Sequence, residues 1–167
     1  METEIAAIEF ILASTIQVGI AIAGFTGIVL ALKSNKSIEP IQKILISILL
    51  ISSIGSVIFS FIPMLLLSAS FDDSSTWVLS SILFLIYFII ILIYRRKQFQ
   101  KYSMPIPKSI RLLISIFAIA AIFQILNIVY FKKAWPYLFL LIVYILYSFS
   151  VFVQLLWLMW ERDETTQ

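Results

Sequence analysis

The sequence predicts an all-α integral membrane protein, a bundle of five transmembrane helices with the N-terminus outside and the C-terminus inside. Three observations carry this reading. The 167 residues are 62% hydrophobic and only 13% charged, whereas a globular domain has ~45–50% apolar and ~25% charged residues. The apolar residues gather into five long runs. Nearly all charges fall outside those runs, and the basic ones gather on alternate connections. A soluble chain of this length would expose much of its apolar excess, which a bilayer solvates instead. Mean hydropathy is +1.06. Residues 1–167 are read as one transmembrane domain, since ~150 residues per domain is the usual expectation.

The spans are placed at 8–32, 44–68, 77–94, 112–131 and 135–160. Each fits or exceeds the ~17–25 residues that carry a helix across a ~30 Å hydrocarbon core. No alternating ten-residue pattern suggests barrel strands, and helices satisfy their own backbone hydrogen bonds, as lipid requires. Only Lys132, Lys133 and Ala134 separate the last two spans. Trp135 and Pro136 follow, and proline suits a first helical turn, so a tight helical hairpin is expected there.

The connections set the orientation. Glu2, Glu4 and Glu9 lie at the start, and the acidic Met1-Glu2-Thr3-Glu4 lacks the basic region of a secretory signal. Lys33, Lys36 and Lys43 follow span one. The next turn, Phe71 to Thr76, carries Asp72 and Asp73 and no basic residue. The third connection holds Arg95, Arg96, Lys97, Lys101, Lys108 and Arg111, with Pro105 and Pro107 interrupting it, and the tail carries Arg162. Placing the first and third connections and the tail inside puts 10 of the 12 basic residues there, which is the positive-inside arrangement. Aromatic belts fit it, with Trp77, Tyr130, Trp135 and Tyr137 at outer ends and Tyr94, Tyr102, Trp157 and Trp160 at inner ends. A prokaryotic cytoplasmic membrane is the expected location.

Absences narrow the chemistry. There is no Cys and no His. That excludes disulfides and thiol chemistry, zinc held by Cys or His, and any triad needing a His base. No hydrolase or metalloprotease motif occurs. No cofactor and no enzymatic activity are expected. Asp72-Asp73 is an acidic pair with too few oxygen ligands for a divalent ion, and a solvated turn accounts for it. Glu9 near the start of span one reads as a cation site or, more plainly, as a carboxylate favoured at a helix N-terminus.

Two motifs lie within the spans. Thr15, Gly19, Ala23, Gly27 and Ala31 recur every fourth residue in span one, with Gly24 beside them, and Ser52, Ser56 and Ser60 do so in span two. Stripes of small residues let helix backbones approach closely. The Gly19, Ala23, Gly27, Ala31 seam therefore packs on span two within one chain or joins copies into an oligomer, around a pore in the sharper version. Second, Gln17, Ser60 and Gln124 fall at one depth, ~10–14 Å below the outer surface at ~1.5 Å per residue, with Asn127 one turn above Gln124. Pro63 frees the Phe59 carbonyl at that same level. These predict an outer polar cluster of Gln17, Ser60, Gln124 and Asn127, acting as interhelical glue or as a site for a small polar solute or lipid headgroup. Gln154, with Tyr147 and Ser150 on its side of the helix, sits deeper, where Thr26 is a candidate partner.

The basic and aromatic run Arg95 to Tyr102 is read as contact with anionic inner-leaflet lipid through Arg95, Arg96, Lys97 and Lys101, worth ~1 kcal/mol per basic residue near the surface. The segment is too short for a nucleic-acid groove, and no nucleic-acid partner is expected. The leading function is a small self-associating or partner-associating membrane subunit, able to form an oligomeric channel. The alternative is a small-solute or lipid transporter that uses the outer polar cluster.

Overall fold

Every element of the computed structural model is helical among the described residues, which are 2–32, 39–101 and 108–164. The chain runs through α1 (Glu2–Leu32), α2 (Pro40–Ser68), α3 (Asp73–Lys101), α4 (Lys108–Leu126), a π-helical turn (Asn127–Phe131) and α5 (Ala134–Glu164). Four helices are long and apolar enough to cross a membrane, over Glu4–Ala31, Pro40–Ser68, Asp73–Lys101 and Ala134–Leu158. The predicted span at 112–131 corresponds to α4 and the π turn, whose described apolar part, Ala118–Phe131, is shorter. Lys33, Lys36, Tyr102, Pro105 and Pro107, and the side chains of Lys108, Arg111, Trp160 and Arg162, lie outside the described set.

Local chemistry sets the ends. Pro40 opens α2 at a position where its missing N–H costs nothing, and the Glu39 N–H donates to Gln42 Oε1 at 3.4 Å. At the other end Phe71 N–H donates to Leu66 O at 3.1 Å and Ser70 N–H to Leu67 O at 3.0 Å. This is a Schellman closure with Ser70, rather than glycine, in the left-handed position at φ 64°. α3 starts where the Asp72 carboxylate accepts the Ser75 N–H at 3.0 Å, satisfying a donor that has no intrahelical partner. α3 starts earlier and ends later than the predicted span 77–94. Arg95, Arg96, Lys97 and Gln98 are good helix formers, so the basic run continues the helix instead of starting a loop.

α5 touches every other helix, and α2 meets α1, α3 and α5. The middle of the bundle is aromatic. The Phe84 ring lies 4.7 Å from Phe59, 5.5 Å from Tyr144 and 6.1 Å from Tyr137, centroid to centroid and edge-on in each case, the geometry that ring quadrupoles favour. Buried hydroxyls are largely satisfied within their own helices. Thr15 donates to Ile11 O, Thr26 to Ile22 O and Ser60 to Ser56 O, at 2.7–2.8 Å. Two residues expected in an aromatic belt lie inside instead: Trp77 and Tyr137 are buried, their rings 5.9 Å apart. Tyr130, Trp135 and Trp157 are exposed.

Candidate functional site

The polar residues of the helices gather at two levels. The first lies at the end of the bundle that carries the α2–α3 turn. Here Pro63 interrupts α2 and leaves the Phe59 carbonyl without its helical donor. The Tyr137 hydroxyl of α5 donates to that oxygen at 2.5 Å. The freed carbonyl is where the sequence put it. Its partner, a tyrosine assigned to the membrane surface, was not anticipated.

Asn127 organises the turn between α4 and α5. Its Nδ2 donates to Ser81 Oγ at 3.1 Å, its Oδ1 accepts the Lys133 N–H at 3.0 Å, and its backbone oxygen accepts the Lys132 N–H at 2.8 Å. Lys132 takes the left-handed conformation that lets the chain reverse. Gln124 Nε2 donates to Pro136 O at 2.6 Å. Gln124 and Asn127 are thus brought together on the α4–α5 hairpin and against α3. Ser60 is buried on α2 with its hydroxyl turned to Ser56 O. Gln17 is exposed on α1 and does not join them. An expected depth along a helix carries no information on the direction that a side chain faces. Among the described residues, three buried polar atoms at this end have no hydrogen-bond partner: Gln124 Oε1, Ser80 Oγ and Thr76 Oγ1.

The second level lies nearer the Lys101 end of α3. The Tyr87 hydroxyl donates to Ile51 O at 2.7 Å and accepts from the Tyr144 hydroxyl at 3.2 Å. Gly55 makes room for it, since a Cβ there would strike the Tyr87 ring and hydroxyl. Arg95 Nη1 donates to the Tyr147 hydroxyl, and the guanidinium carbon stands 4.7 Å from the centre of that ring, within cation–π range. Arg95 is half-buried, whereas Arg96, Lys97 and Lys101 are exposed. Arg95 is thus drawn further into the bundle than the other three. Gln154 is half-buried, and Thr26 turns its hydroxyl to its own helix.

The small-residue stripe of α1 divides along its length. Thr15 and Gly19 are buried. A Cβ on Gly19 would stand 2.5 Å from Ser56 Oγ, 2.9 Å from Val57 Cγ2 and 3.1 Å from Ser53 O, so the close approach there is to α2. Ala23 is half-buried, whereas Gly24, Gly27 and Ala31 are exposed. Nothing lies within 4 Å of a Cβ built on Gly24 or Gly27. Beside them an open apolar groove of about 400 Å³ runs between α1 and α2, lined by Gly19, Ala23, Gly24, Ser53, Val57 and Ile58 among others. Only 22% of the apolar stretch of α1 is buried, against 56% for α2.

Glu9 is exposed. Hydrogen bonds from the Ser75 hydroxyl and then the Ser75 backbone hold the exposed Asp72 carboxyl below its ordinary value of 3.8. Among the described residues no group of three or more acidic, His or Cys side chains could hold a metal ion. The sequence matches no family model, no curated protein and no solved structure.

Proposed function

We propose that this chain is a self-associating membrane subunit without catalytic machinery of its own, with five spans, the N-terminus outside and the C-terminus inside. The observation that carries the reading is the divided stripe on α1. Its Gly19 half is used within the chain, and its Gly24–Gly27 half is left open beside a groove. In lipid, helices associate through close packing rather than by escape from water, and small residues permit that packing. A helix of a second copy fits against Gly24 and Gly27. Any conducting path belongs between copies, because the middle of the single bundle is filled by Phe84, Tyr137 and Tyr144.

The chain has no cysteine, so introduced cysteines report cleanly. Oxidation of Gly27→Cys in membranes is expected to give a covalent dimer, whereas Ile90→Cys, exposed on α3, is expected to give none. Dimers from neither variant, with a monomer by native mass spectrometry, would overturn self-association. For orientation, Asp72→Cys is expected to react with an impermeant maleimide in intact cells, and Lys97→Cys only after permeabilisation. The reverse pattern refutes the N-out assignment.

A second reading, a small-solute or lipid transporter, is favoured by the three unpartnered polar atoms of Gln124, Ser80 and Thr76. It requires proteoliposome uptake that falls with Gln124→Leu while the dimer fraction stays unchanged.

A further inference from the structure

Arg95 stands apart from the other basic residues of its run. A helical side chain leans toward the N-terminus of its helix. At the end of α3 this direction carries the guanidinium back toward the bundle middle, not out past Lys101. α3 and α5 run the same way here, since Tyr87 meets Tyr144 and the later Arg95 meets the later Tyr147. Tyr147, buried on α5, holds the guanidinium both by its hydroxyl and by its ring face. A long basic side chain at a membrane surface ordinarily extends toward water. Arg95 is held the other way.

That arrangement leaves a donor unused. Arg95 Nη2 is buried and has no hydrogen-bond partner among the described residues. A guanidinium carries five N–H donors in a rigid planar fork, and a buried charge is costly unless it is paired and hydrogen-bonded. The fork matches the two oxygens of a phosphate or carboxylate, and such bonds are among the strongest available to a side chain. The contacts that Arg95 makes with Tyr147, to its hydroxyl and its ring face, position it without neutralising it.

We propose that Arg95, oriented by Tyr147, is the seat of an oxyanion of the phosphate class between α3 and α5. The anion is the headgroup phosphate of a phospholipid or free phosphate, and it supplies the acceptor that Nη2 lacks. Arg96, Lys97 and Lys101 lie exposed beside it and raise the local anion concentration without making the site. This site is independent of the α1 face and survives even if the chain is monomeric.

The test uses purified protein in a neutral detergent, with the unfolding temperature read by tryptophan fluorescence. One arm titrates inorganic phosphate. The other adds phosphatidylglycerol, with phosphatidylcholine as the zwitterionic control. A ligand that binds only the folded state raises the unfolding temperature. A rise with phosphatidylglycerol alone identifies a lipid headgroup, and a rise with phosphate identifies a free anion. In either arm Arg95→Gln is expected to weaken apparent affinity by at least about tenfold, as loss of a charged hydrogen bond implies. Arg96→Gln is expected to change it less than about twofold, as an exposed screened charge implies. Tyr147→Phe keeps the charge and removes the positioning hydroxyl, so it is expected to fall between them. It carries the test if Arg95→Gln does not fold. No rise with either ligand, or equal weakening by Arg95→Gln and Arg96→Gln, overturns the proposal. So does wild-type affinity in Tyr147→Phe when Arg95→Gln does not fold.

Discussion

The hydroxyl of Tyr137 stands 2.5 Å from the carbonyl oxygen of Phe59, the acceptor that Pro63 strips of its helical partner. A residue on the last helix thus repairs a break in the second. Removing one partner of a buried hydrogen bond costs ~1–3 kcal/mol. Tyr137→Phe is expected to lower stability by that amount in detergent–SDS unfolding. Pro63→Ala restores an N–H to α2, so in that background Tyr137→Phe is expected to cost measurably less. Additive effects would show that the two sites are uncoupled.

The two halves of the α1 stripe respond oppositely to added volume. Gly19→Ala drives a Cβ into Ser56, Val57 and the Ser53 backbone, and overpacking of this kind costs ~1–3 kcal/mol. Gly24→Ala meets open space and gains helix propensity, so fold stability is expected to hold or rise slightly. Unfolding curves for the two variants in the same detergent distinguish them.

Ser70 holds a left-handed conformation at φ 64°, which costs a residue with a Cβ ~1–2 kcal/mol and glycine little. Ser70→Gly is expected to stabilise the protein by about 0.5–1 kcal/mol, read as a shift in the same unfolding curve. Destabilisation would show that the α2–α3 turn closes differently.

Asp72 caps α3 from an exposed position. Its folded pKa lies below the ordinary 3.8 because Ser75 donates to the carboxylate. A depressed carboxyl pKa contributes stability that is fully present above the unfolded value and lost as the pH falls through the folded one. The α3 cap is therefore expected to weaken below about pH 4, with the remainder lost lower still. Asp72→Asn keeps a capping side chain and is expected to flatten this part of the stability–pH profile. An unchanged acid slope in Asp72→Asn would remove Asp72 from the account.

What the sequence made legible was local. Proline geometry located the free Phe59 carbonyl, and the long apolar runs located the helices. Gln124 and Asn127 stood out as amides in apolar surroundings, and both are buried and bonded. What stayed hidden depended on the direction each helix faces. Distance from the helix end places Gln17 with Gln124, but Gln17 is exposed. Tyr137 and Trp77 sit near helix ends, as belt residues do, yet rotate inward to pack on each other. Arg95 looked like part of a basic loop, because charge suggested water. The helix continues through it, and the lean of its side chain returns the charge to Tyr147. The signal was available in the i, i+3 spacing of Tyr144 and Tyr147, which lines two phenols along one side of α5.

α5 touches all four other helices, and it leaves the ribosome after them. Their packing on it must wait until α5 has been made. Until Tyr137 arrives, 78 residues after Phe59, a backbone oxygen in α2 lacks the donor that the folded protein gives it. A chain cut short before α5 keeps that acceptor without its donor, so the proline break in α2 is closed only once the α5 segment has been added.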